Sequence, residues 1–183
     1  MNPIIELAKE HGPIKLMLHV LLKINEKIAD GEQVPMPDLD DAIVFIREFA
    51  DKCHHGKEES LLFPIMKKNN IRSEIDLIEV LAAEHSQGRG YIKNLVESLS
   101  AREENPALFA EIFLDNSKKY ISLLDQHIDK ENNVLFQSAK QSLSEEQIKE
   151  LETGFKNVEK NIIGEGRHEE LQGILKRLQG SYF

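Results

Sequence analysis

The chain has 183 residues, 30% of them charged, with a formal net charge of −9 and a mean hydropathy of −0.39. That length is enough for one sizeable core, and the acidic balance argues against nucleic acid or an anionic membrane surface as partner, both of which call for basic patches. No apolar run approaches the ~20 residues that span a bilayer, the start Met-Asn-Pro-Ile-Ile-Glu-Leu has no leader pattern, and the lone Cys53 excludes an internal disulfide and fits a reducing cytoplasm.

The first predicted helix runs from about Pro3 to Ala29, with Asn2 as cap, Pro3 in its first turn and Gly31 to close it. At ~100° per residue, Ile4, Leu7, Leu18 and Leu22 lie within about 40° of His11, so His11 points at the core. Pro13 predicts a kink just beyond it, and His19 falls at the margin of the apolar stripe. After a loop over 31–38, Asp38 is expected to cap a second helix reaching about Lys68. Ile43, Ala50, His54, Glu58, Leu61 and Ile65 form its inner stripe. The alternative register, through His55 and Glu59, runs back to Lys52, Asp51, Glu48 and Asp41, a solvent face, so these two are expected to be solvated or at most supporting. Pro64 predicts a bend or a tightened turn near this point. Ser73 with Asp76 reads as a capping box for a third helix ending near Ser100, with Ile78, Leu81, His85, Arg89, Ile92, Val96 and Leu99 inside. A fourth helix, from about Pro106 to Ser142, turns Phe113, Tyr120, Leu123, His127, Glu131 and Val134 inward; Tyr120 is first of all a core residue.

Four long helices joined by short loops predict an all-α, up-down-up-down four-helix bundle over residues 1–142. Residues 143–183 form a C-terminal helical extension. A Ser144/Gln147 capping box opens a helix to about Ile163, Gly164-Glu165-Gly166 interrupts it, and a last helix runs from Arg167 to about Gln179. The extension is amphipathic and is expected to pack on the bundle or to build a homodimer contact. His168, beside the break, reads as surface or cap.

One inward histidine on each of four helices, His11, His54, His85 and His127, replaces an expected Leu or Ile. A single histidine on an apolar stripe is usually a hydrogen-bonded core residue, since an unpartnered one costs about 1–3 kcal/mol. Four of them together with inward Glu58 and Glu131 are another matter, because unpaired buried carboxylates are still less favourable. A metal ion offsets all six. Imidazole with carboxylate suits iron, with zinc or manganese as substitutes, and six ligands with two carboxylates able to bridge suit two ions better than one. By this reading Glu58 and His127 are indispensable for metal and His55 is dispensable. Cys53 reads as a small core residue. A ferritin-type centre, which needs Glu-x-x-His pairs, is excluded: Ala8, Asp51, Ala82 and Leu124 stand three residues before the four histidines.

Glu10-His11-Gly-Pro-Ile, His54-His55-Gly-Lys-Glu58-Glu59-x-x-Leu-Phe-Pro, Glu84-His85 and His127-x-x-x-Glu131-x-x-x-Leu-Phe occur in that order. In this the chain resembles the haemerythrin-like (HHE cation-binding) domain over about residues 1 to 142. The resemblance implies a four-helix bundle around a non-haem di-iron centre, with His11, His54, His85 and His127 as ligands and Glu58 and Glu131 as bridging carboxylates. It also implies one departure. Oxygen-carrying haemerythrins have a second histidine four residues after the first on the third helix, where this chain has Arg89. The centre is then expected to have one imidazole fewer, leaving a more open iron or one served by His19, Glu84 or water, and the nearby cation turns expectation away from simple oxygen carriage. The expected function is that of a cytoplasmic di-iron protein that binds or senses a small diatomic or peroxide ligand (dioxygen, peroxide or nitric oxide), with weak oxidase or peroxidase activity at most. An iron reservoir or donor for stress repair, and a structural metal site in an interaction domain, are the alternatives.

Overall fold

The computed structural model describes residues 2–164 and 166–183; Glu165, in the expected break, lies outside them. Six helices, and no strand, make up the described residues. Helix α1, Pro3–Ala29, is started by Asn2, whose Oδ1 accepts from the Ile4 amide at 2.9 Å, and runs unbroken through Pro13. Helix α2 spans residues 36–68, α3 is Arg72–Ser98 with a 3₁₀ turn at Leu99–Ala101, and α4 spans 106–142 behind the Asn105 cap. Helix α5, residues 145–163, opens on the expected Ser144/Gln147 capping box, and α6 is Arg167–Tyr182. Between these two, Gly164 (φ 102°) and Gly166 (φ 80°) take the left-handed region that glycine enters without a Cβ penalty.

Two expected caps are corrected. Helix α2 starts at Met36 behind Pro35, and Asp38 instead accepts from Arg177 Nη1 at 2.6 Å and from the Tyr182 hydroxyl at 2.9 Å. Helix α3 starts at Arg72, one residue ahead of Ser73, because the extended Ile71 marks the boundary; Asp76 pairs with Arg72 at 2.9 Å.

Short loops alternate the direction of α1 to α4, and the bundle closes through α1 against α4. Its apolar core has two parts. One contains Leu7, Leu62, Leu81 and Leu135; the other contains Ile14, Ala50, Ile92 and Leu124. On every helix the histidines and glutamates picked out above fall between these two sets, so they form a polar layer across the bundle. The extension packs along α1 and α2. Leu171, Leu175 and Leu178 enter the second part of the core, and Arg167 holds Glu48 through two nitrogens at 2.7 and 2.9 Å. No helix among the described residues is long and apolar enough to cross a membrane.

Helices α2 and α4 depart from regular α-geometry at the layer itself. Ile46–His55 and Glu58–Leu62 in α2, and Glu131–Leu135 in α4, have the wider i→i+5 turns of a π-helix. Near Pro64 the turn is therefore widened rather than tightened; proline has no N–H to return to the turn before it. The last two wide segments share one local sequence, Glu-x-x-x-Leu-Phe, at Glu58–Phe63 and Glu131–Phe136. A wide turn advances less than 100° per residue and shifts the register beyond it. Val134, assigned to the inner stripe, is consequently 53% exposed, while Leu135 and Phe136 are buried; Leu22 and Val96 also lie outside the core. We predict that Leu135→Ala lowers unfolding free energy by about 2–5 kcal/mol and Val134→Ala changes it by no more than about 0.5 kcal/mol, measured by urea denaturation. Equal effects would contradict the shifted register.

Candidate metal centre

The layer brings together all six residues picked from the stripes, each at most 3% exposed. The imidazoles meet in pairs: His11 Nε2 lies 3.0 Å from His54 Nε2, and His85 Nε2 lies 3.0 Å from His127 Nε2. Each carboxylate spans the pairs. Glu58 reaches His54 with one oxygen at 3.7 Å and His85 with the other at 3.5 Å, and Glu131 reaches His11 at 3.1 Å and His127 at 3.0 Å in the same way. Phe136 stacks on His11 and Phe63 on His85, which gives both ends of the layer an apolar floor.

The outer nitrogen of each imidazole has its own acceptor. His54 Nδ1 donates to Glu10 at 2.9 Å, His85 Nδ1 to Glu59 at 2.7 Å, His127 Nδ1 to Glu84 at 2.9 Å and His11 Nδ1 to the Asn132 carbonyl at 3.0 Å. An ionised carboxylate or a carbonyl can only accept, so Nδ1 carries the proton and Nε2 turns a lone pair inward. This is how metal-binding histidines are held. Behind the carboxylates stand cations: Lys57 on Glu10 at 2.7 Å, Arg89 on Glu59 at 2.7 Å, and Lys130 on Glu84. Arg89 also holds Asp51 at 2.8 Å. Its guanidinium thus serves the carboxylates behind the layer. His19 is exposed and takes no part. Glu84 supports His127 from behind.

Two residues were missed by the stripe analysis. The first is His55, assigned to a solvent face. It is 4% exposed and stacks on His85 with ring centroids 3.8 Å apart. The wide segment Ile46–His55 turns both adjacent histidines inward, which 100° per residue forbids. His55 thus adds a buried imidazole on α2, where α3 has Arg89. The second is Lys57, fully buried, held by Glu6 at 2.9 Å, Glu10 at 2.7 Å and Glu159 at 2.8 Å, and lying over the Phe155 ring at 5.3 Å. Its only sequence signal is a position four residues after the buried Cys53. Tyr120 is buried as expected, and burial pushes the Cys53 thiol up to about 12, leaving it an inert core group. His168 is half-buried with its ring 5.0 Å from Phe49, not at the surface.

Ligand atoms of His11, His54, Glu58 and Glu131 lie within 4.8 Å of one another, and so do those of His55, Glu58, His85 and His127; Glu58 is common to both groups. Both oxygens of Glu58 and of Glu131 are buried with no hydrogen-bond partner. Lone pairs facing each other at 3.0 Å and unsatisfied buried carboxylates both call for positive charge, so the residues fit a metal pair. A third acidic group, Glu6, Glu10 and Glu159, already surrounds the Lys57 ammonium.

Electrostatics agree. Burial, then the neighbouring Glu131 charge, raises the Glu58 carboxyl well above its ordinary value. Burial also works against Glu131, but His127, His11 and His54 outweigh it and keep Glu131 ionised. Burial lowers His54, His55 and His85. For His127 burial is outweighed by Glu131 and Glu84, and the net shift is upward.

The family model described as the hemerythrin HHE cation binding domain matches residues 2–139. The chain belongs to this family. Among curated proteins it is similar to uncharacterized proteins of Mycobacterium bovis and of two Mycobacterium tuberculosis strains, each 23% identical over 160 residues that cover 87% of the chain. The chain spans 62% of the length of these relatives. The buried His/Glu clusters, which could hold metal, all lie within the matched hemerythrin segment.

Ligands bind metal in their deprotonated forms, and the upward shifts of Glu58 and His127 make falling pH compete with it. We predict that the zinc affinity of chelator-stripped protein falls from mildly alkaline to mildly acidic pH, and that His55→Ala weakens it by at least about tenfold, measured by chelator competition. Unchanged affinity in His55→Ala would return His55 to a bystander.

Proposed function

We propose that the centre holds two iron ions and that this hemerythrin-family protein binds or senses a small oxidant, dioxygen, peroxide or nitric oxide, in the cytoplasm. The observation that carries the reading is the pair of fully buried carboxylates, each reaching histidines on both sides of the layer with no other partner. His11, His54 and Glu131 would hold one ion and His55, His85 and His127 the other, with Glu58 common to both. Five imidazoles and two carboxylates suit iron, with zinc and manganese as competitors.

Iron held there supplies reversible electron exchange and affinity for small oxidants. The protein's own contribution is positioning. Glu10, Glu59, Glu84 and Asn132 fix the imidazole tautomers, Phe63 and Phe136 keep water from the layer, and the cations behind the carboxylates hold the ring orientations. The burial of every donor favours a sensor or binder over a donor of iron. Cytoplasmic location rests on the single reduced cysteine.

The test is absorption spectroscopy of iron-loaded and zinc-loaded protein exposed in turn to dioxygen, hydrogen peroxide and nitric oxide. The iron form is expected to change its near-ultraviolet or visible spectrum with at least one of them and the zinc form with none. An iron form unchanged by all three would overturn the reading.

A further inference from the structure

Against the metal layer, between α2, α3 and α4, lies a cavity of about 380 Å³. Its inner wall is formed by the imidazoles of His55 and His85, and its sides by Ile92, Val96 and Tyr120, with Arg47 at the mouth. A water molecule occupies about 30 Å³ in the liquid, so the space far exceeds the needs of a diatomic ligand or peroxide and enters the range of small-molecule sites, about 300–1,000 Å³. Gly88 shapes one wall; a Cβ there would stand 3.4 Å from the Tyr120 ring.

Two buried residues line this space with polar groups that make no hydrogen bond. Tyr120 is 3% exposed, and its hydroxyl makes no hydrogen bond to a described residue. His55 Nδ1 is buried and makes no hydrogen bond, with Asp51 Oδ1 3.5 Å away. Both can donate. The charges at the mouth do not cancel. Arg89 is shared between Asp51 at 2.8 Å and Glu59 at 2.7 Å and Lys93 faces Glu97 at 3.7 Å, whereas Arg47 closes no ion pair with a described residue. An apolar cavity with unused donors and one unpaired cation selects a ligand with an apolar body and a single negative charge.

We propose that this cavity binds a small organic monoanion, an aromatic or branched aliphatic carboxylate. Its body packs on Ile92 and Val96, its oxygens accept from Tyr120, and Arg47 supplies the countercharge. That the ligand then lies beside the metal rests on the proposed function; the binding itself does not.

The test is calorimetric titration of the full chain with benzoate, with metal content measured on the same samples. Saturable one-to-one binding is expected. Tyr120→Phe should weaken it about tenfold to a hundredfold, the loss of one hydrogen bond to a charged group. Val96→Trp, at a position 39% exposed, should fill the cavity and abolish binding. Both variants should keep the wild-type metal content, since neither residue belongs to the layer. No saturable binding, wild-type binding in Val96→Trp, or benzyl alcohol binding as tightly as benzoate would each overturn the proposal. Benzoate binding by protein without metal would leave it standing and count against the metal reading alone.

Discussion

Two carboxylates with no solvent exposure, set between halves of an apolar core, are the constraint that the surrounding structure answers. Moving an unpaired carboxylate out of water carries a penalty of several kcal/mol even after the protein relaxes. Glu58 and Glu131 meet it only in part without metal: burial and the Glu131 charge push the Glu58 carboxyl upward, and the histidines hold Glu131 well down. The remaining polar architecture follows outward from this pair. Imidazoles surround the carboxylates, acceptors fix the imidazoles, and Lys57, Arg89 and Lys130 balance those acceptors. Such a layer is a poor way to stabilise a bundle and a good way to pre-form a cation site, because a ligand that binds only the folded state adds its binding free energy to folding.

The C-terminal extension belongs to this arrangement even though the family match ends at residue 139. Glu159 of α5 holds Lys57, Lys57 holds Glu10, and Glu10 holds the His54 ring. Phe155 of the same helix covers the Lys57 ammonium. Lys57, Glu10 and His54 in this relay are out of water, where each hydrogen bond polarises the next. Docking of the extension and the orientation of a metal-facing imidazole are thus one coupled network. Arg167 and Arg177 anchor α6 on Glu48, Asp38 and Asp41 of α2, which also explains why Asp38 is not free to cap its own helix.

Most of the fold and most of the candidate site were legible in the sequence, and the failures share a physical cause. Four amphipathic stripes with a histidine in each identify the bundle and place His11, His54, Glu58, His85, His127 and Glu131 in one layer. The arithmetic behind those stripes assumes 3.6 residues per turn. It breaks where α2 and α4 widen, so His55 was assigned outward and Val134 inward, each the reverse of its place. A wide turn leaves little trace in a single sequence. The repeated Glu-x-x-x-Leu-Phe is such a trace, but it gains meaning only beside the backbone. Lys57 was missed because a fully buried lysine is rare, and its three carboxylate partners come from residues 6, 10 and 159, which only the tertiary structure brings together. Ser73 and Asp38 show the same limit for caps, since either residue type can serve as a cap or as an ion-pair partner.

The central claim, that Glu58 is shared between two ions in one site, is tested most directly by metal analysis of protein purified without added metal. The account predicts about two iron ions per chain, both lost together in Glu58→Ala. A single ion per chain, or full loading of Glu58→Ala, would contradict it.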